Sequence, residues 1–288
     1  MMDAASLEYC LTDNEYRTFE RDGFLLIPGA LPSHMINGLN SAIDGIIAKR
    51  EEGRTTNDLK ILDVLGEDDI FLELIDWSRT FPKVWRILKW NIHVCHTELQ
   101  VTSSEPEESS EGDRRLDWSQ EGGRLNRELL EAHPLPRISV TVGYFLTDLT
   151  ETGRGNPYVL PGSHLKRSIQ APSDGDSNLD RATELRVPAG TAVIFDRRLW
   201  RAHGQNLSDI TQKAVFIGYS YRWFHPTVDM SVSHLMERSD PIRRQLLGAT
   251  TSNLALTTPT DADVPLRDWI QAHLGDEAIA DRSVRNLT

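Results

Sequence analysis

Apolar spacing changes character partway along the chain. In the first third it is helical. "TDNEYRTFERDGF" opens with Thr12, a residue type that caps helix N-termini, and carries Asp13 and Glu15 in its first turn, so a helix should run to about Asp22 and stop at Gly23. "GFLLIPGAL" is a short apolar strand closed by Pro28 and Gly29. "PSHMINGLNSAIDGIIAKREEG" sets Met35, Leu39, Ile43 and Ile47 at intervals of four, the stripe of a second amphipathic helix. "DDIFLELIDWSRTFPKVWRILKW" reads as one or two more helices, and the acidic run "SSEPEESSEGDRR" as a loop without apolar content. Beyond it, "RISVTVGYFLTDL", "TELRVP", "TAVIFDRRLW" and "KAVFIGYSYRWF" are β-branched and aromatic runs separated by Gly, Pro, Asn and Asp, the pattern of a sandwich or barrel. From "DPIRRQLLG" to "VPLRDWIQAHLG" the helical period returns. The pattern predicts a mainly β protein with flanking helices, a jelly roll at about 91–225 between helical parts at 1–90 and 226–288, in a single domain over 1–288.

Composition narrows the classes. The chain has 288 residues, long enough for a sizeable core, and 39% of them are hydrophobic. A net charge of −12, from 43 acidic against 31 basic side chains, argues against a nucleic-acid partner, which needs clustered Lys and Arg. No apolar run approaches the ~20 residues of a membrane span, and "MMDAASLEYC" has no signal-peptide pattern, so a cytoplasmic location is expected. Cys10 and Cys95 make neither a disulfide framework nor a zinc site.

"RDGFLLIPGAL", "GRGNPYVLPGSHL", "GTAVIFDRRLW" and "DPIRRQLLG", in this order and spacing, resemble the phytanoyl-CoA dioxygenase branch of the Fe(II)/2-oxoglutarate oxygenases. The resemblance covers nearly the whole chain. It implies a double-stranded β-helix, and iron held by His-x-Asp and a distant His, a ligand set that leaves positions open for cosubstrate and O₂. Fold alone does not carry that function, so the positions decide.

Four of them depart from the family pattern. In "RLDWSQEGGR", residues 115–124, the block Trp118-Ser119-Gln120-Glu121-Gly122 stands where the family has Trp-His-Gln-Asp-Gly. Ser119 replaces the first His, and Glu121 is a carboxylate one methylene longer. After Leu199-Trp200, where the family has its second His, this chain has Arg201, a cation with no lone pair to give. Eleven residues further on, the family's Arg for the far carboxylate of 2-oxoglutarate is Gln212. The nearby groups to weigh as substitutes are His203, Lys213 and Arg222, with His93 and His96, whose separation of three places them on opposite faces of a regular strand. His164 in "PGSHL" reads as a hydrogen-bonding turn residue.

Three readings follow. The first is a non-catalytic subunit without bound cofactor, supporting an active paralogue that carries Fe(II) and 2-oxoglutarate in a heterodimer; some fungal meroterpenoid oxygenases resemble this arrangement, with a small natural product in the active partner's site. The second is a metal-free isomerase or cyclase, with Glu121 and Arg201 facing each other where iron would sit. The third is an Fe(II)/2-oxoglutarate dioxygenase with atypical ligands.

Overall fold

The computed structural model describes residues 2–50, 58–104, 116–121, 135–166, 168–169 and 179–280. Most of the acidic loop and Gly122 fall outside these residues.

Helix α1 is Asp13–Asp22. Thr12 and Glu15 close a reciprocal capping box at its start, and Gly23, at φ 82°, ends it in the left-handed region. Strand β1 (Phe24–Ile27) follows, then α2 (Ser33–Arg50), which buries Met35, Leu39, Ile43 and Ile46. The predicted helical run at 68–90 splits into a 3-10 turn at Asp69–Leu74 and α3, Phe81–Leu88, with Pro82 in its first turn.

Two antiparallel sheets face each other. The larger has the order β1-β7-β4-β9-β3-β2, built with β2 (Leu59–Leu62), β3 (Ile92–Thr102), β4 (Ser139–Phe145), β7 (Thr191–Asp196) and β9 (Gln212–Tyr221). The smaller has the order β6-β5-β8, from β5 (Pro157–Val159), β6 (Thr183–Glu184) and β8 (Arg201–His203). This is the double-stranded β-helix that the resemblance implied. Its larger sheet draws both edge strands, β1 and β2, from the first 90 residues, because helices there return the chain to the sheet's flanks.

The faces of the large sheet differ. Leu99, Val101, Val142, Tyr144, Ile194, Ile217 and Tyr219 meet the helices in one apolar core. The opposite, inner face joins Val159, Leu185 and Val187 in a second core through Phe145, Val193, Phe195, Ala214 and Phe216. Alternation along each strand produces this division, as period-2 pleating requires. Helices at Pro241–Leu246 and Pro265–Leu274 pack back on the barrel, where Gln245 donates to the carbonyls of Trp90 and Ile92. Among the described residues, no helix is long and apolar enough to cross a membrane.

Candidate functional site

One row of the inner face carries the site. Reading across the sheet, Phe195 pairs with Thr141, Thr141 with Gly218, and Gly218 with His96. The small sheet brings its charges over that row. Ser119 and Arg201 are directly opposed in an antiparallel bridge, with N–H···O bonds of 2.8 and 2.9 Å in the two directions. The two positions where the family pattern has histidines are therefore neighbours in space, although 82 residues apart in sequence.

Each side chain then finds its place on the row. The Arg201 guanidinium lies 4.6 Å over the Phe195 ring and donates from Nη2 to Glu121 Oε2 at 3.2 Å. That same oxygen accepts from Thr141 Oγ1 at 2.7 Å. His96 Nδ1 stands 3.8 Å from Glu121 Oε1. Its ring rests on the bare backbone of Gly218, where a Cβ would come within 2.1 Å of the imidazole.

The position of His96 departs from the strand expectation. His93 and His96 share a face, because the register of β3 against β9 slips between Val94 and His96. A bulge inserts one extra residue, here Cys95, and turns a spacing of three into the effect of two. His93 is buried, with Nε2 3.1 Å from Ser220 Oγ and 2.9 Å from the Phe224 carbonyl. Burial is the main reason its pKa falls to about 4, and it does not reach Glu121 within ion-pair distance.

The electrostatics favour an ionised Glu121. Burial pushes its pKa up, but His96, Arg201, the Thr141 hydroxyl and Arg197 together hold it below the ordinary carboxylate value. Burial lowers Arg201 from its usual value while Glu121 opposes the shift. Arg197 is 1% exposed and points its field at the same carboxylate. The adjacent Asp196 is fully buried and forked by Arg198 Nε and Nη2 at 2.8 and 2.6 Å, with Arg137 Nε at 2.6 Å, so its pKa falls to about 2 against the cost of burial. Through Arg137, which also reaches Glu20, that cluster ties the end of β7 to α1.

The other sequence candidates lie away from this cluster. Gln212 is buried at the start of β9, its amide against Gly155 in the "GRGNP" turn, where φ is 71° and a Cβ would meet Oε1 at 2.8 Å. Lys213 Nζ reaches Asp44 at 2.5 Å. Arg222 donates to the carbonyls of Asp263 and Ala249, at 2.9 and 2.8 Å. Neither Lys213 nor Arg222 supplies the fork that Gln212 lacks. His203 shares the face of Arg201 but lies exposed beside Lys60 and Gln100. His164 is buried in its turn, with Nε2 3.1 Å from the Glu20 carbonyl.

A cavity of about 250 Å³ opens against the cluster, lined in part by His96, Glu98, Glu121, Ser139 and Arg197, with Phe224 among its apolar contacts. As a donor set for Fe(II), the three family positions do not fit. Ser119 offers a neutral hydroxyl, Arg201 a cation, and Glu121 alone a metal-type donor, already shared with Thr141 and Arg201. Among the described residues, no three His, Cys, Asp or Glu side chains converge as ligands.

The fold defines the class, the double-stranded β-helix proteins. The chain belongs to the phytanoyl-CoA dioxygenase family, whose sequence profile matches residues 19–214. This family uses Fe(II) and 2-oxoglutarate. No curated protein matches the chain in sequence. Among solved structures it is similar to HygX from Streptomyces hygroscopicus with nickel and 2-oxoglutarate bound, at 15% identity and a TM-score of 0.61, over 78% of this chain and 94% of that one. It is also similar to the non-heme alpha ketoglutarate dependent epimerase SnoN from nogalamycin biosynthesis, at 17% identity and a TM-score of 0.55, over 87% of this chain and 93% of the other. The carbocyclase SnoK from the same biosynthesis gives 17% identity and a TM-score of 0.55, over 80% and 92%. At such identities these likenesses speak for the fold.

Proposed function

We propose that this chain is a pseudo-oxygenase: a single unit spanning 1–288 that binds neither Fe(II) nor 2-oxoglutarate and supports an active Fe(II)/2-oxoglutarate-dependent paralogue in a heterodimer. One observation carries the reading. Arg201 and Glu121 pair at 3.2 Å where the family pattern sets a histidine and a carboxylate on the metal. A resident cation tethered to β8 meets the carboxylate's need for positive charge, and it cannot bind O₂ or a 2-oxo acid through open coordination positions. Gln212 removes the second requirement, a charged fork for the far carboxylate. With its own centre closed, such a subunit contributes through contacts. The place of SnoN and SnoK in nogalamycin biosynthesis supports a setting in natural-product assembly, with the small molecule in the partner's site.

The metal-free isomerase or cyclase reading draws on the approach of His96 to Glu121 beside a cavity of about 250 Å³. It is the weaker of the two, because the cations that hold Glu121 ionised also make it a poor general base. The test is co-expression and mixing with the active paralogue of the same source. A specific complex burying at least ~1,000 Å² should form and raise the paralogue's soluble yield or turnover. Absence of a complex, together with substrate turnover by the isolated chain, would refute the subunit reading.

A further inference from the structure

Arg201 is tightly placed but sparsely bonded. Its backbone is paired on both sides, with Ser119 and with Val159, and its guanidinium lies 4.6 Å over the Phe195 ring. Placement is therefore fixed without help from the charged end. Among the described residues, that end makes one side-chain hydrogen bond, at 3.2 Å, to a Glu121 oxygen that Thr141 holds more closely at 2.7 Å. A guanidinium presents a planar fork of donors, matched in geometry by a carboxylate that accepts two of them at once, and Glu121 meets only one. The side chain keeps 22% exposure, so the unspent donors are within reach of a small molecule.

From this we infer that the family's iron position has changed sign in this chain and become a binding site for a small organic carboxylate, with Arg201 as the group that takes it. This rests on the reading that no metal occupies the place. The ligand's carboxylate would accept from the open side of the Arg201 fork. The surroundings favour an organic anion over an inorganic one, because the Phe195 ring lies beneath the guanidinium and the cavity that Glu121 and Arg197 line adds Ile138, Phe224 and Val228. The charged and titratable groups around it are mixed. Arg197 and His96 favour an anion, Glu121 opposes it, and Glu98 is engaged by Lys60 at 2.9 Å. No covalent step is involved, and binding differs from the family's use of 2-oxoglutarate in needing neither metal nor the position now held by Gln212.

Calorimetry and thermal shift on the full chain, kept in excess chelator, decide the matter with benzoate and acetate as probes and benzamide as the neutral control. At least one carboxylate should bind saturably and raise the melting temperature, while benzamide does neither. Arg201→Gln should weaken that binding at least tenfold, and Glu121→Gln, which removes the competing charge but leaves the fork, should tighten it severalfold. If Arg201→Gln does not fold, Glu121→Gln decides alone: tighter binding supports the site, and unchanged or weaker binding overturns it. The site is also overturned if no carboxylate binds, if Arg201→Gln binds as well as the unaltered chain, or if binding appears only on adding Fe(II). None of these outcomes depends on a partner subunit, so they can fail separately from the heterodimer.

Discussion

Removing Arg201 tests whether the ion pair holds the site together. In Arg201→Met, Glu121 keeps its Thr141 bond at 2.7 Å and its imidazole neighbour but loses the guanidinium. At a separation of 3.2 Å the direct attraction amounts to about 5 kcal/mol at an effective dielectric of ~20, most of it offset by the desolvation of both partners. Breaking a fully buried pair costs roughly 3–5 kcal/mol. With each side chain 22% exposed and Thr141 still in place, we expect about 2–3 kcal/mol for Arg201→Met. Glu121→Leu alone should cost a similar amount, since it leaves the guanidinium over Phe195 without its carboxylate. The double replacement should cost less than the sum of the two, with a coupling of about 1–2 kcal/mol. Urea denaturation of the four proteins measures all terms, provided the m-values agree. Additivity within ~0.3 kcal/mol would show that the two side chains do not interact and would refute the reasoning.

Two further outcomes follow from the neighbours of the pair. His93 has a folded pKa of about 4 against an ordinary 6.5, chiefly because burial disfavours its charged form. Its contribution is complete above the unfolded value and is lost as pH falls from 6.5 toward 4, up to roughly 3 kcal/mol, so His93→Gln should flatten the stability profile in that window; an unchanged profile would count against a buried neutral histidine. Gly218→Ala places a methyl where the His96 ring lies, so it should drive the imidazole away from Glu121 and cost about 1–3 kcal/mol, measured by denaturation and by the histidine's NMR shifts; a neutral substitution with unmoved resonances would mean the ring is not packed there.

Much of the scaffold was legible in the residues. Thr12, Glu15 and Gly23 mark the ends of α1 by capping chemistry that acts within a turn, and the four-residue stripe from Met35 to Ile47 marks α2. In the large sheet, β4, β7 and β9 read as β-branched runs and β1 as a short apolar strand, whereas β2 and β3 were not among the runs named. Short pieces were harder: β6 falls at the start of the run read from "TELRVP", but β5 and β8 have three residues each, too few for a period, and their pairing is set by the barrel rather than by local preference. At the site, the family pattern brought Ser119, Glu121 and Arg201 together on paper, and the bridge brings them together in space. His96 was misplaced because a bulge has no hydrophobic signature. The available sign was Gly218 inside an otherwise bulky strand, which marks a close approach by something else. That something is the imidazole.

Metal content tests the central claim most directly, because Ser119, Glu121 and Arg201 are held to replace the iron centre rather than to modify it. Purified chain, titrated anaerobically with Fe(II) or with Mn(II) in the presence of 2-oxoglutarate, is followed by metal analysis after gel filtration and by melting temperature. A ligand that binds only the folded state at a hundredfold excess over its dissociation constant stabilises by about 2.7 kcal/mol, well within reach of a thermal scan. The account predicts no stoichiometric metal and no metal-dependent shift. Retention of one metal ion per chain, with a rise in melting temperature that grows when 2-oxoglutarate is added, would contradict it.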